Sequence, residues 1–224
     1  MTPGSQNNFT IRIMTKDDYP RVKAFMKDDF LKSEPLCQSS SKPMELEKEK
    51  EKEMDDYHLS LIAQGTCLVA IDESNGDKLV GFVLAGAQFP EDLEKHRQEA
   101  EVMDQNFLGR ITFMLSKIER EADIFRRYGI SKALYSHITS VAASMRGKGL
   151  GSRLASKLMD VGRSKGFPAM VAYCTSFYSA RQKEALGMEC IHSLVYADYK
   201  DDSGHPIFTP AAPHTKARVM FIKL

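Results

Sequence analysis

Apolar and polar residues alternate from Phe9 to Met14 (FTIRIM), the period of a short, half-buried strand. Thr15-Lys16-Asp17-Asp18 then resembles a capping box, and apolar residues recur at helical spacing from Tyr19 to Leu31. Pro20 blurs the register of the first turn. Ser33-Glu34-Pro35 should stop this segment, because a residue before proline is pushed out of the α region. A loop over Cys37 to Pro43 leads into ELEKEKEKEMDDYHLSLIA, whose charge run predicts a solvated helix face. TCLVAID and KLVGFVLAGA read as strands around SNGD, and Asn75-Gly76 is a strong hairpin signal.

Two helical stretches follow, over 90–103 and 105–127. In the second, Phe107, Ile111, Met114, Ile118, Ala122 and Phe125 recur at helical spacing, as a core face does. SHITSVAA (Ser136 to Ala143) reads as a buried strand running into a glycine-rich loop, followed by a helix from Leu150 to Lys165. PAMVAYC is a strand, and SFYSARQKEALG is a helix ending at Gly187, where glycine suits a helix C-terminus. IHSLVYADY is a strand, DDSGHP a turn, TPAAPH a rigid proline loop and ARVMFI the last strand. The order predicts a mixed α/β fold, with an antiparallel start and a strand–loop–helix–strand unit near the middle. A chain of 224 residues suits one domain over 1–224 with a real core.

Composition narrows the classes. The net charge of +1 points to no nucleic-acid or acidic-membrane partner. The apolar runs are too short to span a bilayer, and MTPGSQNNFT lacks a basic-then-apolar leader pattern, so a cytoplasmic protein is expected. The four cysteines form no CxxC pair, which argues against a zinc site or a disulfide framework, and no metal is expected.

The chemistry concentrates in MRGKGLGS, Met145 to Ser152. A strand, a glycine-rich turn and a helix N-terminus together make an anion site. The first helical turn leaves N–H groups without partners, and the macrodipole adds partial positive charge. Glycines allow unusual dihedrals and let a phosphate approach the backbone. Arg146, Lys148 and Arg153 add formal charge. A P-loop would need GxxxxGK[ST], and a dinucleotide fingerprint would need a third glycine where Ser152 stands. A glycine turn without a ligand is the bland alternative.

Arg146-Gly147-Lys148-Gly149-Leu150-Gly151 resembles the pyrophosphate loop, [Q/R]-x-x-G-x-[G/A], of the GNAT acetyltransferase superfamily. Other stretches narrow the resemblance to the insect arylalkylamine N-acetyltransferases. SEPL (Ser33 to Leu36) is similar to their DEPL element, SFYSARQKEALGM to their S-x-Y-S-A-R…LG[F/M] helix, and VYADYK and FTPAAPH to their C-terminal signature. These spans cover nearly the whole chain in order. The resemblance implies a GNAT fold, a mixed sheet of about seven strands with helices on both faces and a splayed cofactor cleft. It also implies acetyl-CoA as cosubstrate and a small-molecule amine as partner; a monomer is expected.

By the same resemblance, Gly147 to Ser152, with Arg146, hold the coenzyme A pyrophosphate, and main-chain groups around Thr139 and Val141 hold the pantetheine arm and the acetyl carbonyl. Glu34 is implied as the base that frees the acceptor amine of its proton, directly or through water. A glutamate of ordinary pKa, about 4.3, is a poor base for this, so burial or a water relay should help. Ser179 is implied as the residue serving the leaving thiolate, with Thr175 at a second serine position of the subfamily. The N–H of Val141 is the candidate oxyanion donor. Three positions depart from the family pattern. Lys183 stands where many members have tyrosine, Phe177 where asparagine is common, and Ser33 replaces the acidic residue of DEPL.

Tyr173, Phe177, Tyr178 and the Pro210 to His214 loop could form an apolar acceptor pocket, and each is equally a reasonable packing residue. Cys174 could carry an acetyl group, but no histidine is placed to activate it, and a buried structural thiol fits better. The leading expectation is an arylalkylamine N-acetyltransferase acting by direct attack in a ternary complex. A polyamine or agmatine-like acceptor, a longer acyl donor, or a coenzyme A-binding protein with little catalysis are the alternatives.

Overall fold

The computed structural model describes residues 9–39, 48–103 and 106–224. The readings made for residues before Phe9, for Ser40–Pro43, for the start of the charge run at Glu45 and for position 105 lie outside them.

The first strand, β1 (Phe9–Ile13), leads into a helical segment in three pieces: α1 (Tyr19–Phe25), a π-helical stretch (Met26–Phe30) and α2 (Leu31–Ser33), with α3 (Pro35–Gln38) beyond a break. Helix α4 (Lys48–Ala63) precedes the hairpin β2 (Leu68–Asp72) and β3 (Lys78–Gln88). Helices α5 (Pro90–Val102), α6 (Phe107–Ala122) and α7 (Ile124–Tyr128) lead to β4 (Ala133–Val141). After the glycine loop come α8 (Leu150–Ser164), β5 (Ala169–Cys174), α9 (Phe177–Glu184), β6 (Glu189–Val195) and β7 (Lys216–Lys223).

The strands form one seven-stranded sheet in the order β1-β2-β3-β4-β5-β7-β6. All pairs are antiparallel except β4 and β5, which α8 connects as a parallel crossover. That pair touches only at Leu134↔Met170 and Tyr135↔Val171, although both strands continue. Beyond Tyr135 the two strands part, so the β5-facing main chain of β4 has no strand partner among the described residues. This splay is the architectural feature that makes a cleft.

Helices cover both faces. Leu150, Leu154 and Leu158 of α8 are buried with Val83, Ala85, Leu134 and Met170 on one side. Met114 and Ile118 of α6 pack with Val171, Val219 and Phe221, and Val22, Leu61 and Ile62 pack with Val69, Phe82 and Leu84. Truncating a wholly buried leucine such as Leu154 to alanine should cost about 2–5 kcal/mol.

Several boundaries differ from the sequence expectation, each for a local reason. Strand β4 begins at Ala133, because Ala133 and Leu134 pair with Gln88 and Ala87 of β3. The stretch read as one helix to 127 breaks at Asp123, which adopts a positive φ of 30° and caps α7 by accepting from the Arg126 N–H. Directly after β6, Tyr196–Asp198 leave the strand for a 3-10 turn. The Asn75-Gly76 signal holds a five-residue loop, since Asp72 pairs with Lys78 and both Gly76 and Asp77 have positive φ. The charge run does form a solvated face. From Lys48 to Tyr57 the helix carries no buried residue, and burial begins at His58.

Candidate active site

Glu34 sits at the break between α2 and α3. Its N–H still bonds to the Phe30 carbonyl at 2.8 Å, but Pro35 forces its ψ to 125°. The side chain therefore leaves the helix surface. One carboxylate oxygen accepts the Cys37 N–H at 2.8 Å and caps α3. The other accepts the Thr175 hydroxyl at 2.7 Å. Thr175 directly follows β5, and its carbonyl accepts the Tyr196 hydroxyl at 2.7 Å, which fixes the strand end. Burial, reinforced by the nearby Glu34 charge, pushes the Cys37 thiol up to about 12. Burial lowers His214, while the Glu34 charge acts in the opposite sense.

The start of α9 organises around the same point. Ser176 caps the helix by accepting the Tyr178 N–H, and His214 Nδ1 accepts the Phe177 N–H at 3.1 Å. The Tyr178 ring meets His214 edge-on at 5.6 Å, yet 64% of Tyr178 is exposed. The guanidiniums of Arg181 and Arg218 each lie 5.8 Å from the Phe177 ring centre. The Ser179 hydroxyl donates to the Ser176 carbonyl at 2.9 Å, so its one proton is engaged within the helix. Cys174 is buried in the core beside α8.

The glycine loop stands at the neighbouring strand end. Gly147 and Gly149 take φ of 73° and 77°, and a Cβ at either would meet nothing within 4 Å. Their glycine identity serves backbone conformation and open access rather than packing. Gly151 differs, because a Cβ there would lie 2.9 Å from the Gln182 amide nitrogen. No side chain caps α8, and the N–H groups of Leu150, Gly151 and Ser152 have no partner among the described residues. The Leu150 side chain is buried in the core, so that residue can offer a ligand only its main chain. Lys148 is exposed, and Arg153 lies over the Phe9 ring at 4.1 Å. Arg146 reaches away from the loop to Asp29 at 2.6 Å and the Ser33 hydroxyl at 3.0 Å, tying the loop to the first helical segment. Thr139 and Val141 pair with Val83 and Gly81 of β3 and face the splay on their other edge. Open amides, an unobstructed turn and an unpaired strand edge fit a diphosphate joined to an amide-bearing arm.

One part of the site is not visible in the sequence. The β3–β4 register shifts between Leu84 and Ala85, which leaves His137 as the extra residue of a bulge. Its Nδ1 lies 3.1 Å from the Tyr135 hydroxyl, and its ring stands 5.8 Å from His58 and 5.4 Å from Tyr57. Tyr135 packs edge-on against Tyr173 at 5.2 Å. The Tyr173 hydroxyl donates to Gln88 at 3.3 Å, and the Gln88 amide donates to the buried Glu119 carboxylate, which also holds His96 at 2.9 Å. Burial pushes His137 down to about 3 and His58 to about 4, so both are neutral near pH 7. It raises Tyr135, Tyr173 and Glu119, and the Glu119 carboxylate raises His96. Tyr173 thus joins a polar–aromatic cluster at the throat of the splay, apart from Phe177, Tyr178 and His214 at the start of α9.

Among the described residues no helix is long and apolar enough to cross a membrane, and no cluster of side chains could hold a metal ion. The acetyltransferase (GNAT) family model matches residues 28–183. The structure superposes on that of a mosquito arylalkylamine N-acetyltransferase like 5b with a TM-score of 0.84 and 31% identity, covering 97% of this chain and 100% of the other. A Drosophila melanogaster polyamine N-acetyltransferase that forms N-acetylagmatine matches with a TM-score of 0.84 and 29% identity, over 97% of this chain and 100% of the other. Arylalkylamine N-acetyltransferase 2 from Aedes aegypti matches with a TM-score of 0.86 and 25% identity, over 97% and 99%.

Proposed function

This chain belongs to the acetyltransferase (GNAT) family, which uses acetyl-CoA, and from that premise we propose that it acetylates the primary amine of an arylalkylamine of the dopamine, serotonin, tyramine or tryptamine type. One observation carries the reading: Thr175 Oγ1 holds the Glu34 carboxylate at the end of β5, and the glycine loop leaves the same end of its parallel neighbour β4. The anion cradle and the carboxylate therefore share one end of the sheet, at the C-terminal ends of β4 and β5, across the splay.

In this mechanism the amides of Leu150, Gly151 and Ser152 bind the diphosphate of acetyl-CoA, and the free edge of β4 binds the pantetheine arm. Glu34 takes a proton from the acceptor ammonium, directly or through water. Thr175 and the Cys37 N–H hold that carboxylate in one orientation while leaving each oxygen a further lone pair. The freed nitrogen attacks the acetyl carbonyl, and the Val141 N–H steadies the oxyanion. Collapse breaks the carbon–sulfur bond and releases coenzyme A. Transfer is direct, because Cys174 is only 4% exposed and has no histidine hydrogen-bonded to it.

The rings of Tyr57, Tyr135 and Tyr173 favour an aromatic acceptor, since flat side chains pack edge-on against one another. A second reading rests on Glu119. A carboxylate that is 4% exposed and shared between Gln88 and His96 could also meet the distal cation of an agmatine-like acceptor. Incubation with acetyl-CoA and an amine panel, followed by release of free thiol, tests both. Turnover of dopamine or tryptamine supports the first, turnover of aliphatic amines alone supports the second, and thermal stabilisation by coenzyme A without turnover leaves a binding protein.

A further inference from the structure

Side chains alternate across β7, so Lys216, Arg218 and Met220 share one face of the sheet. Met220 is buried there with Leu154 of α8 and Ala180 of α9, so this is the face those helices cover. On it, Lys216 and Arg218 line a cavity of about 450 Å³ with Phe177, Arg181 and Glu184 of α9 and Cys190 of β6. Small-molecule sites span roughly 300–1,000 Å³. Phe177, Arg181 and Glu184 recur at helical spacing, so the cavity takes one flank of α9. Gln182 is off that row and meets Gly151 at the start of α8, so the glycine loop lies on the other flank.

The lining is electrically one-sided. Arg181, Lys216 and Arg218 face the single carboxylate of Glu184, an excess of two positive charges. The Arg218 side chain is 14% exposed, and among the described residues its guanidinium makes one hydrogen bond, from Nη1 to Glu184 Oε1 at 3.2 Å. A guanidinium carries five N–H groups, so most of this fork is unused. Like charges held together repel, and an anion among them removes that cost. Cations converging on a concave surface also focus a positive potential that draws anions in.

The walls select the ligand further. The Arg181 and Arg218 guanidiniums each lie 5.8 Å from the centre of the Phe177 ring. A planar guanidinium pairs with a carboxylate or phosphate through two parallel N–H bonds, and it also stacks on flat rings. We propose that this flank of α9 is a second ligand site, apart from the coenzyme cleft, for a small aromatic anion: a carboxylate or phosphate carried on a flat ring. The ring lies against Phe177, and the acid group sits among Arg181, Lys216 and Arg218. Such a site needs neither an amine acceptor nor turnover, so it stands or falls separately from the acetyl-transfer reading.

Cys190 reports on the site directly. It is exposed in the cavity lining, whereas Cys67 and Cys174 are buried and Cys37 is half-buried. Alkylation of the wild-type chain by iodoacetate and by iodoacetamide, followed at Cys190 by mass spectrometry, compares an anionic with a neutral reagent at one thiol. The iodoacetate-to-iodoacetamide rate ratio should exceed that of the urea-unfolded chain by at least about tenfold. Arg181→Gln should cut that excess severalfold. Phenyl phosphate or benzoate should slow the alkylation with saturating coenzyme A present, and the stronger protector identifies the acid group. A ratio equal to that of the unfolded chain overturns the proposal, as does an excess that Arg181→Gln leaves unchanged. So does protection by neither aromatic anion. Inorganic phosphate protecting as well as phenyl phosphate would leave a bare charged patch, and protection that vanishes when coenzyme A binds would give these cations to the coenzyme; either result also overturns it.

Discussion

Thr175 donates a 2.7 Å hydrogen bond to Glu34 across 141 residues of chain, and this single bond joins the break in the first helical segment to the end of β5. Together with the Cys37 N–H on the other oxygen, it fixes the orientation of the carboxylate. Hydrogen bonds to charged groups contribute about 1.5–3 kcal/mol. Thr175→Val should therefore lower kcat by roughly ten- to a hundredfold while acetyl-CoA affinity is kept. Thr175→Ser should restore most of it. Equal activity of the valine and serine variants would show that the bond does not position the base.

Gly149 supports a different link, between backbone conformation and coenzyme affinity. At φ of 77° an L-residue is strained by about 1–2 kcal/mol, although its Cβ would touch nothing. Gly149→Val should weaken acetyl-CoA binding by about tenfold or more, because a β-branched residue resists that dihedral and crowds the amides. Titration calorimetry checks this. Unchanged affinity would move the diphosphate elsewhere.

Acid should loosen the fold through its neutral histidines. An unfolded chain protonates His58 and His137 near 6.5, whereas burial holds them at about 4 and about 3 in the folded protein. The unfolded state binds more protons in that window, so stability is complete above about 6.5 and declines as pH falls toward 4 and 3. Each histidine contributes a slope of about 1.4 kcal/mol per pH unit there. Urea midpoints between pH 7 and 5 should show the decline, and His137→Asn should flatten it by about half. A slope indifferent to that substitution would place its origin in other groups.

Acceptor choice should separate at Glu119. With an aromatic acceptor, Glu119→Gln keeps kcat/KM for tryptamine within about threefold, because the rings that hold it remain. A selective loss of about tenfold for agmatine, in an enzyme that also turns agmatine over faster than tryptamine, would transfer the assignment to the cationic reading.

Much of this site is legible in local sequence. The glycine loop is readable because anion binding needs adjacent residues, and Gly147 and Gly149 do take the left-handed dihedrals that the reading requires. Pro35 likewise announces the break at Glu34. What escapes is everything set by register and distance. Nothing local places Thr175 against Glu34, since their bond depends on how β5 docks beside the first helical segment. The bulge at His137 is a pairing property of two strands, so the cluster that links it through Tyr173 and Gln88 to Glu119 leaves no periodic trace. Arg146 adds charge beside the loop in sequence, yet in three dimensions it answers Asp29, a residue of the π-helical stretch. The break at Asp123 hides inside a continuous apolar period that simply resumes after it.

A crystal structure of the protein with coenzyme A and an arylalkylamine decides where the two substrates bind. The diphosphate should lie against the amides of Leu150 to Ser152, the pantetheine along the free edge of β4, and the amine between the thioester position and Glu34. A diphosphate bound away from that helix end, or an amine on the side remote from Glu34, would contradict it.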